Sequence, residues 1–185
     1  MLVDANQSLL LIIDTQTKLA PAVDGADACL AACRLLLVAA RRLDVPILVT
    51  EHCSDGVGPT VPALRDHLKP GEIVEKRHFN GASEPALDHA LAASARKTVV
   101  VAGMEAHVCV LQTVLGLKAG GYQPVVVADA IASRQPSSRE LAISRMRDHG
   151  VDIVNAEMVM FEWLKVGDSK AFKDLLPLIK SGSAD

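Results

Sequence analysis

Six short apolar runs, each stopping at a polar residue or a glycine, constrain this chain more than any other feature. They are residues 8–14 (SLLLIID), 45–50 (VPILVT, then Glu51), the weaker 71–76 (GEIVEK), 98–102 (TVVVA, then Gly103), 124–128 (PVVVA, then Asp129) and 151–155 (VDIVN). Most are continuously apolar rather than alternating. A strand that is apolar at every position is buried on both faces, as in a parallel sheet sandwiched between helices. Between the runs lie stretches of helical period at 26–43, 83–95, 107–119, 137–149 and 168–180. Several carry end signals: Asp24 or Asp27 at the first, Ser83 and Glu84 at the second, Gly120-Gly121 after the third and Gly150 after the fourth. This alternation predicts a doubly wound, mostly parallel six-stranded sheet with helices on both faces, a Rossmann-like three-layer α/β fold. We expect one domain over 1–180, a loop with one short helix over 53–70, and a flexible tail at 181–185.

With 185 residues, half of them hydrophobic, the chain can bury a sizeable core without disulfides or metal. Three Phe, one Tyr and one Trp are its whole aromatic complement, so that core must be aliphatic. The net charge is −3 and no basic block occurs, so the electrostatic footprint of a nucleic-acid binder is missing. No apolar run approaches the roughly 20 residues that span a bilayer, and the N-terminus lacks the basic region of a signal peptide. The expectation is a soluble, cytoplasmic protein with no nucleic-acid or membrane partner. Its four cysteines, Cys29, Cys33, Cys53 and Cys109, do not resemble a secreted disulfide framework. Cys29 and Cys33 stand at helical spacing, read as small core-facing residues.

Doubly wound sheets bind ligands beyond the carboxyl ends of their strands, near the point where strand order reverses. The polar residues just past the runs are Asp14 and Gln16, Glu51 and His52, Lys76, Glu105 through Cys109, and Asp129. Three of them make a chemical set. Cys109 sits at a strand-to-helix turn, where the positive end of a helix dipole should ease ionisation of the thiol. Asp14 can accept the thiol proton, and Lys76 can hold the carboxylate and the developing thiolate in register. Nucleophile, base and orienting cation are the parts of acyl transfer through a thioester. Each also has a plainer reading: a loop acid, a solvated lysine, a core cysteine.

The segments 11–16 (LIIDTQ), 74–80 (VEKRHFN), 103–113 (GMEAHVCVLQT) and 127–130 (VADA) resemble the isochorismatase-like cysteine hydrolase family, in order and over nearly the whole chain. The stretches Thr50-Glu51 and 58–62 (GPTVP) look most like its isochorismatase domain-containing subgroup. The resemblance implies a catalytic triad of Asp14, Lys76 and Cys109. It implies a non-proline cis peptide at Met104–Glu105 and an oxyanion hole made by the backbone N–H groups of Glu105 and Cys109. It further implies a homo-oligomer, dimer or tetramer. The segment 51–70 lacks the Asp-x-His motif of the metal-bearing nicotinamidases, so no metal and no cofactor are expected. His52 and His67 read as pocket or surface residues. Gln16, Glu51, His52 and Phe79 are expected to line the substrate pocket, and His107 to be structural. Isochorismatases proper need no cysteine nucleophile, so the retained Cys109 implies hydrolysis of a small amide, imide or related C–N substrate. Two other readings stay open: a catalytically idle scaffold, and a redox-responsive thiol with Cys53 as resolving partner.

Overall fold

The structure, a computed structural model, describes residues 2–181. Of the expected tail, Ser181 closes the last helix and residues 182–185 lie outside the described residues. The strands are β1 (Ser8–Ile13), β2 (Ile47–His52), β3 (Ile73–Lys76), β4 (Thr98–Met104), β5 (Gln123–Ala132) and β6 (Asp152–Val154). The helices are α1 (Ala26–Arg42), α2 (Ser54–Val57), α3 (Pro62–Arg65), α4 (Pro85–Ser94), α5 (Leu111–Ala119), α6 (Pro136–Asp148), α7 (Ala156–Leu164) and α8 (Lys170–Ser181). The sheet runs β3-β2-β1-β4-β5-β6 and every neighbouring pair is parallel. Strand order therefore reverses between β1 and β4.

The continuous apolar runs divide by parity. Leu10 and Ile12 of β1 join the core that packs α1, α7 and α8 through Leu36, Val159, Trp163 and Leu175. Leu9, Leu11 and Ile13 join the opposite core, against Leu87 of α4, Val114 of α5 and Met146 of α6. Each such side chain contributes about 1.5–3 kcal/mol on full burial. Cys29 and Cys33 are free and buried in the first core, where the small Cys33 Sγ lies 3.5 Å from the Ala130 carbonyl. Among the described residues no helix is long and apolar enough to cross a membrane.

Several boundaries differ from expectation. Glu51 and His52 are the last residues of β2, not the first beyond it. Strands β4 and β5 continue to Met104 and Ala132 because residues 127–130 of β5 bulge out of the ladder, after which Gly103 (φ +118°) pairs with Ile131 and Met104 with Ala132. A Cβ at position 103 would lie 2.0 Å from the Ile13 carbonyl oxygen, so only glycine lets β1 and β4 approach this closely. Helix α7 was not among the expected helices, because the apolar Met158 and Phe161 on its exposed face blur the helical pattern of its buried residues. Polar caps define its start: Asn155 Oδ1 accepts from Met158 N at 2.8 Å, and Asp129 Oδ1 from Ala156 N at 2.9 Å. Helix α1 starts from the left-handed Gly25, and neither Asp24 nor Asp27 caps it. The 53–70 segment forms two one-turn helices, α2 and α3, rather than one.

Candidate active site

Asp14 follows the last residue of β1 in a left-handed backbone conformation (φ 50°), which Asp adopts more readily than most residues. Its N–H donates to the Thr50 carbonyl at 3.1 Å, which ties the turn to β2. Thr50 Oγ1 donates to Asp14 Oδ1 at 2.6 Å, and Lys76 Nζ meets Oδ2 at 2.7 Å. Lys76 ends β3 opposite His52 in the β2/β3 ladder. The two charged side chains are 1% and 0% exposed, so the pair is desolvated. Attraction at that distance must offset the loss of water around both ions, and removal of either leaves a buried charge. Lys76 Nζ also donates to the His78 carbonyl at 3.1 Å and lies 3.4 Å from His52 Nδ1.

Cys109 belongs to a π-helical turn, Ala106–Val110, that joins β4 to α5. Such wide turns occur frequently at functional sites. The peptide bond Met104–Glu105 is cis. The thiol is buried beside Ile13, Ala106 and Val110, and it interacts with both Asp14 and Lys76. Burial pushes it up to about 12, the Asp14 carboxylate adds to that shift, and Lys76 opposes it. The expected ease of ionisation is thereby overturned. The residue sits in a π turn rather than the first turn of an α-helix, and desolvation of a thiolate outweighs the neighbouring cation. The resting sulfur is neutral, so attack by it would require transfer of its proton to a base, and the Asp14 carboxylate is near enough to raise the thiol's titration.

Other residues from the sequence reading fall around this cluster in different ways. His52 stacks on Phe79 with ring centroids 5.1 Å apart, beside Lys76. Phe79 is 52% exposed and so available to an incoming molecule. Gln16 and Glu51 spend their polar atoms elsewhere. Gln16 Nε2 donates to the His52 carbonyl at 3.1 Å and to the Gly58 carbonyl, and its Oε1 accepts from His52 N at 2.8 Å. Glu51 Oε1 accepts from Thr60 N, Thr60 Oγ1 and Arg65, each at 2.7 Å. Both side chains fasten the 52–65 segment to β2. Glu105 is buried, and its carboxylate accepts from Arg134 N at 2.9 Å and Nε at 3.1 Å. That contact ties the turn before Cys109 to the end of β5. His107 Nδ1 lies 3.0 Å from Ser133 Oγ, which links the π turn to the end of β5.

Thr50, Thr60 and Arg134 were given no role from the sequence, although Thr50 and Thr60 lie in the two stretches that carry the subgroup resemblance. Among the described residues no group of three or more His, Cys, Asp or Glu is placed to hold a metal ion. A cleft of about 320 Å³ opens beyond β5, lined by Cys29, Asp129, Ser133, Arg139 and Glu140, without any triad residue. Its guanidinium donates to the Ile131 and Ala128 carbonyls, and Asp129 caps α7.

Fold and site define a doubly wound α/β protein with a cysteine, an aspartate and a lysine gathered where the strand order reverses. The isochorismatase domain model matches residues 8–158, and the chain belongs to the isochorismatase family, a family of hydrolases. It is 34% identical to isochorismatase domain-containing protein 2A of Mus musculus over 96% of this chain and 85% of that protein. A solved structure described as the MAR1 ribonuclease of Caenorhabditis elegans superposes with a TM-score of 0.92 at 31% identity, covering 100% and 95% of the two chains. Another, YcaC from Pseudomonas aeruginosa with hexane-2,5-diol and covalent acrylamide, gives 0.86 at 25% identity, covering 97% and 94%.

Proposed function

We propose that this protein is a metal-independent cysteine hydrolase that cleaves a small amide, imide or related C–N substrate through a Cys109 acyl-enzyme. The observation that carries this reading is the buried Asp14 carboxylate, paired with Lys76 at 2.7 Å and accepting from Thr50 Oγ1 at 2.6 Å, near enough to the buried Cys109 thiol to raise its titration. Asp14 takes the thiol proton as sulfur bonds to the carbonyl carbon. The oxyanion is received by the backbone N–H groups of Glu105 and Cys109. Collapse breaks the C–N bond, and protonated Asp14 returns its proton to the departing nitrogen. A water then attacks the thioester with Asp14 again as base, releasing a carboxylic acid and the free thiol. His52 and Phe79 supply the wall beside Lys76.

The covalent acrylamide of the YcaC structure, an electrophile that bonds through its vinyl carbon, marks a reactive nucleophile on that relative and leaves the substrate class open. The ribonuclease description of the nematode relative carries less weight for this chain. A net charge of −3 without a basic block and a nearly enclosed thiol favour a small uncharged carbonyl compound over a polyanion. We read the protein as cytoplasmic, where unpaired cysteines such as these persist. We read it also as a homo-oligomer, dimer or tetramer, with the exposed Met158 and Phe161 of α7 as part of the contact. The test of the mechanism is mass spectrometry after rapid quenching with a panel of small amides and imides. An acyl adduct on the Cys109 peptide is expected, and full turnover by Cys109→Ala would refute the mechanism.

A further inference from the structure

The strap between β3 and α4, residues 77–84 (RHFNGASE), supplies one of the groups around the buried lysine. The His78 carbonyl accepts from Lys76 Nζ at 3.1 Å. A carbonyl steadies an ammonium only if its own peptide is held, and this peptide lies past the end of β3, outside the ladder. What holds it is a side chain from further along. Glu84 Oε2 accepts from Arg77 N at 3.0 Å and from His78 N at 3.4 Å, and lies 3.0 Å from His78 Nδ1. All three contacts fall on the residue whose carbonyl meets the lysine, or on the one before it. Glu84 occupies the N-cap position of α4, where a short polar side chain ordinarily caps its own helix. Its carboxylate makes no such bond and turns back to the strap instead. The Arg77 N–H first, and the His78 ring next, hold the Glu84 carboxyl down to about 2, so this anchor stays charged near neutrality.

A second anchor fastens the strap to the helix that follows Cys109. Thr113 Oγ1, buried in α5, accepts from Gly81 N at 2.8 Å and donates to the Phe79 carbonyl at 3.4 Å. Gly116 leaves room for this approach, since a Cβ there would lie 2.5 Å from Asn80 Oδ1. We infer that Glu84 is a positioning residue for Lys76, fixing the His78 peptide so that its carbonyl holds the ammonium beside Asp14. This role rests on the triad reading above. Burial and then Asp14 raise the Cys109 thiol, and Lys76 opposes them. With the strap released, a lysine side chain that is 0% exposed loses an acceptor and has no water to replace it. The displaced cation opposes the rise less well, less thiolate is present at a given pH, and alkylation slows. Loss of stability alone acts the other way, because a chain that opens more often exposes its buried thiol.

The experiment measures iodoacetamide alkylation of Cys109 in the full chain by peptide mass spectrometry, from about pH 7 to 9, where the thiolate is the reacting species. Below the thiol's own value the wild-type rate should climb about tenfold per pH unit. In Glu84→Leu, which removes the acceptor, the line should keep that slope and lie about three- to tenfold lower. Glu84→Gln, whose amide oxygen can take the same N–H groups, should stay within about twofold of wild type. Glu84→Leu added to Lys76→Met should slow alkylation no further, since the lysine through which Glu84 acts is gone. Alkylation of Glu84→Leu as fast as wild type, or faster, overturns the inference. So does the same loss in Glu84→Gln, or an equal loss with Lys76 absent. The Gln comparison keeps the inference refutable if Lys76→Met does not fold. Lys76→Met with unchanged Cys109 reactivity would instead overturn the triad reading itself, and the role of Glu84 with it.

Discussion

Replacing Lys76 by Met tests the buried ion pair directly. The lysine and Asp14 side chains are 0% and 1% exposed and 2.7 Å apart, so neither charge has water to fall back on. Met approximates the apolar stem of lysine, and the main effect is to strand the Asp14 carboxylate without its cation, while Thr50 Oγ1 still donates to it. Breaking a buried pair in this way costs about 3–5 kcal/mol. Against a typical domain stability of about 5–15 kcal/mol, that raises the unfolded fraction by roughly two to four orders of magnitude. Asp14→Asn strands the ammonium instead and should cost a similar amount. The double variant buries no charge and keeps an acceptor for Thr50, so it should recover most of the loss. Urea unfolding of the four proteins at neutral pH gives the coupling energy, with the denaturant slope as a check that the unfolded state is unchanged. A coupling above about 2 kcal/mol is expected. Additive single losses, or a Lys76→Met penalty under about 1 kcal/mol, would refute the reasoning that these charges stabilise each other in a desolvated site.

Other expectations can be checked on the same material. Gly103→Ala should cost about 3 kcal/mol or more, since its Cβ meets the Ile13 backbone at 2.0 Å and the residue has φ +118°; it should slow Cys109 alkylation too, because Ile13 adjoins Asp14. Gln16→Leu leaves the His52 and Gly58 groups unpaired, and a thermal melt should show a loss of about 2–3 kcal/mol. The Cys109 thiol, raised by folding, stabilises the native state below the unfolded thiol value of about 8.5 and loses that contribution as pH climbs through the folded value. Urea midpoints should accordingly fall more steeply in wild type than in Cys109→Ala as pH rises above about 9. Arg134→Gln removes the Nε donors from the buried Glu105 while Arg134 N still donates; with the guanidinium side 59% exposed, a stability loss of only about 1 kcal/mol is expected by denaturant unfolding.

The strands were legible because a both-faces-buried strand must be apolar at consecutive positions, and β1, β2, β4 and β5 are. Each apolar run also stops at polar residues or a glycine at the carboxyl edge of the sheet, which placed Asp14 and Lys76 at strand ends and Cys109 in the turn that follows one. The family motifs then raised those three above the other polar residues on the same rim. Helix α7 escaped periodicity because the apolar Met158 and Phe161 stand on its exposed face, and the ends of β4 and β5 escaped because Gly103 and Asp129 inside them look like strand ends.

Sequence alone thus determined the layering of this protein and the family to which it belongs, and it nominated the three residues proposed for the site. All three follow from local information: apolar runs, the residues that terminate them, and short motifs. Tertiary structure decided what those residues are chemically. Whether Cys109 ionises easily is a contest between desolvation and charges carried by β1 and β3, far away in the chain, and burial wins. That Gln16 and Glu51 fasten a loop, and that His52 stands against Lys76, also depend on strand pairings absent from any local stretch. Distances across a sheet edge set those energies, and a linear string of residues does not contain them.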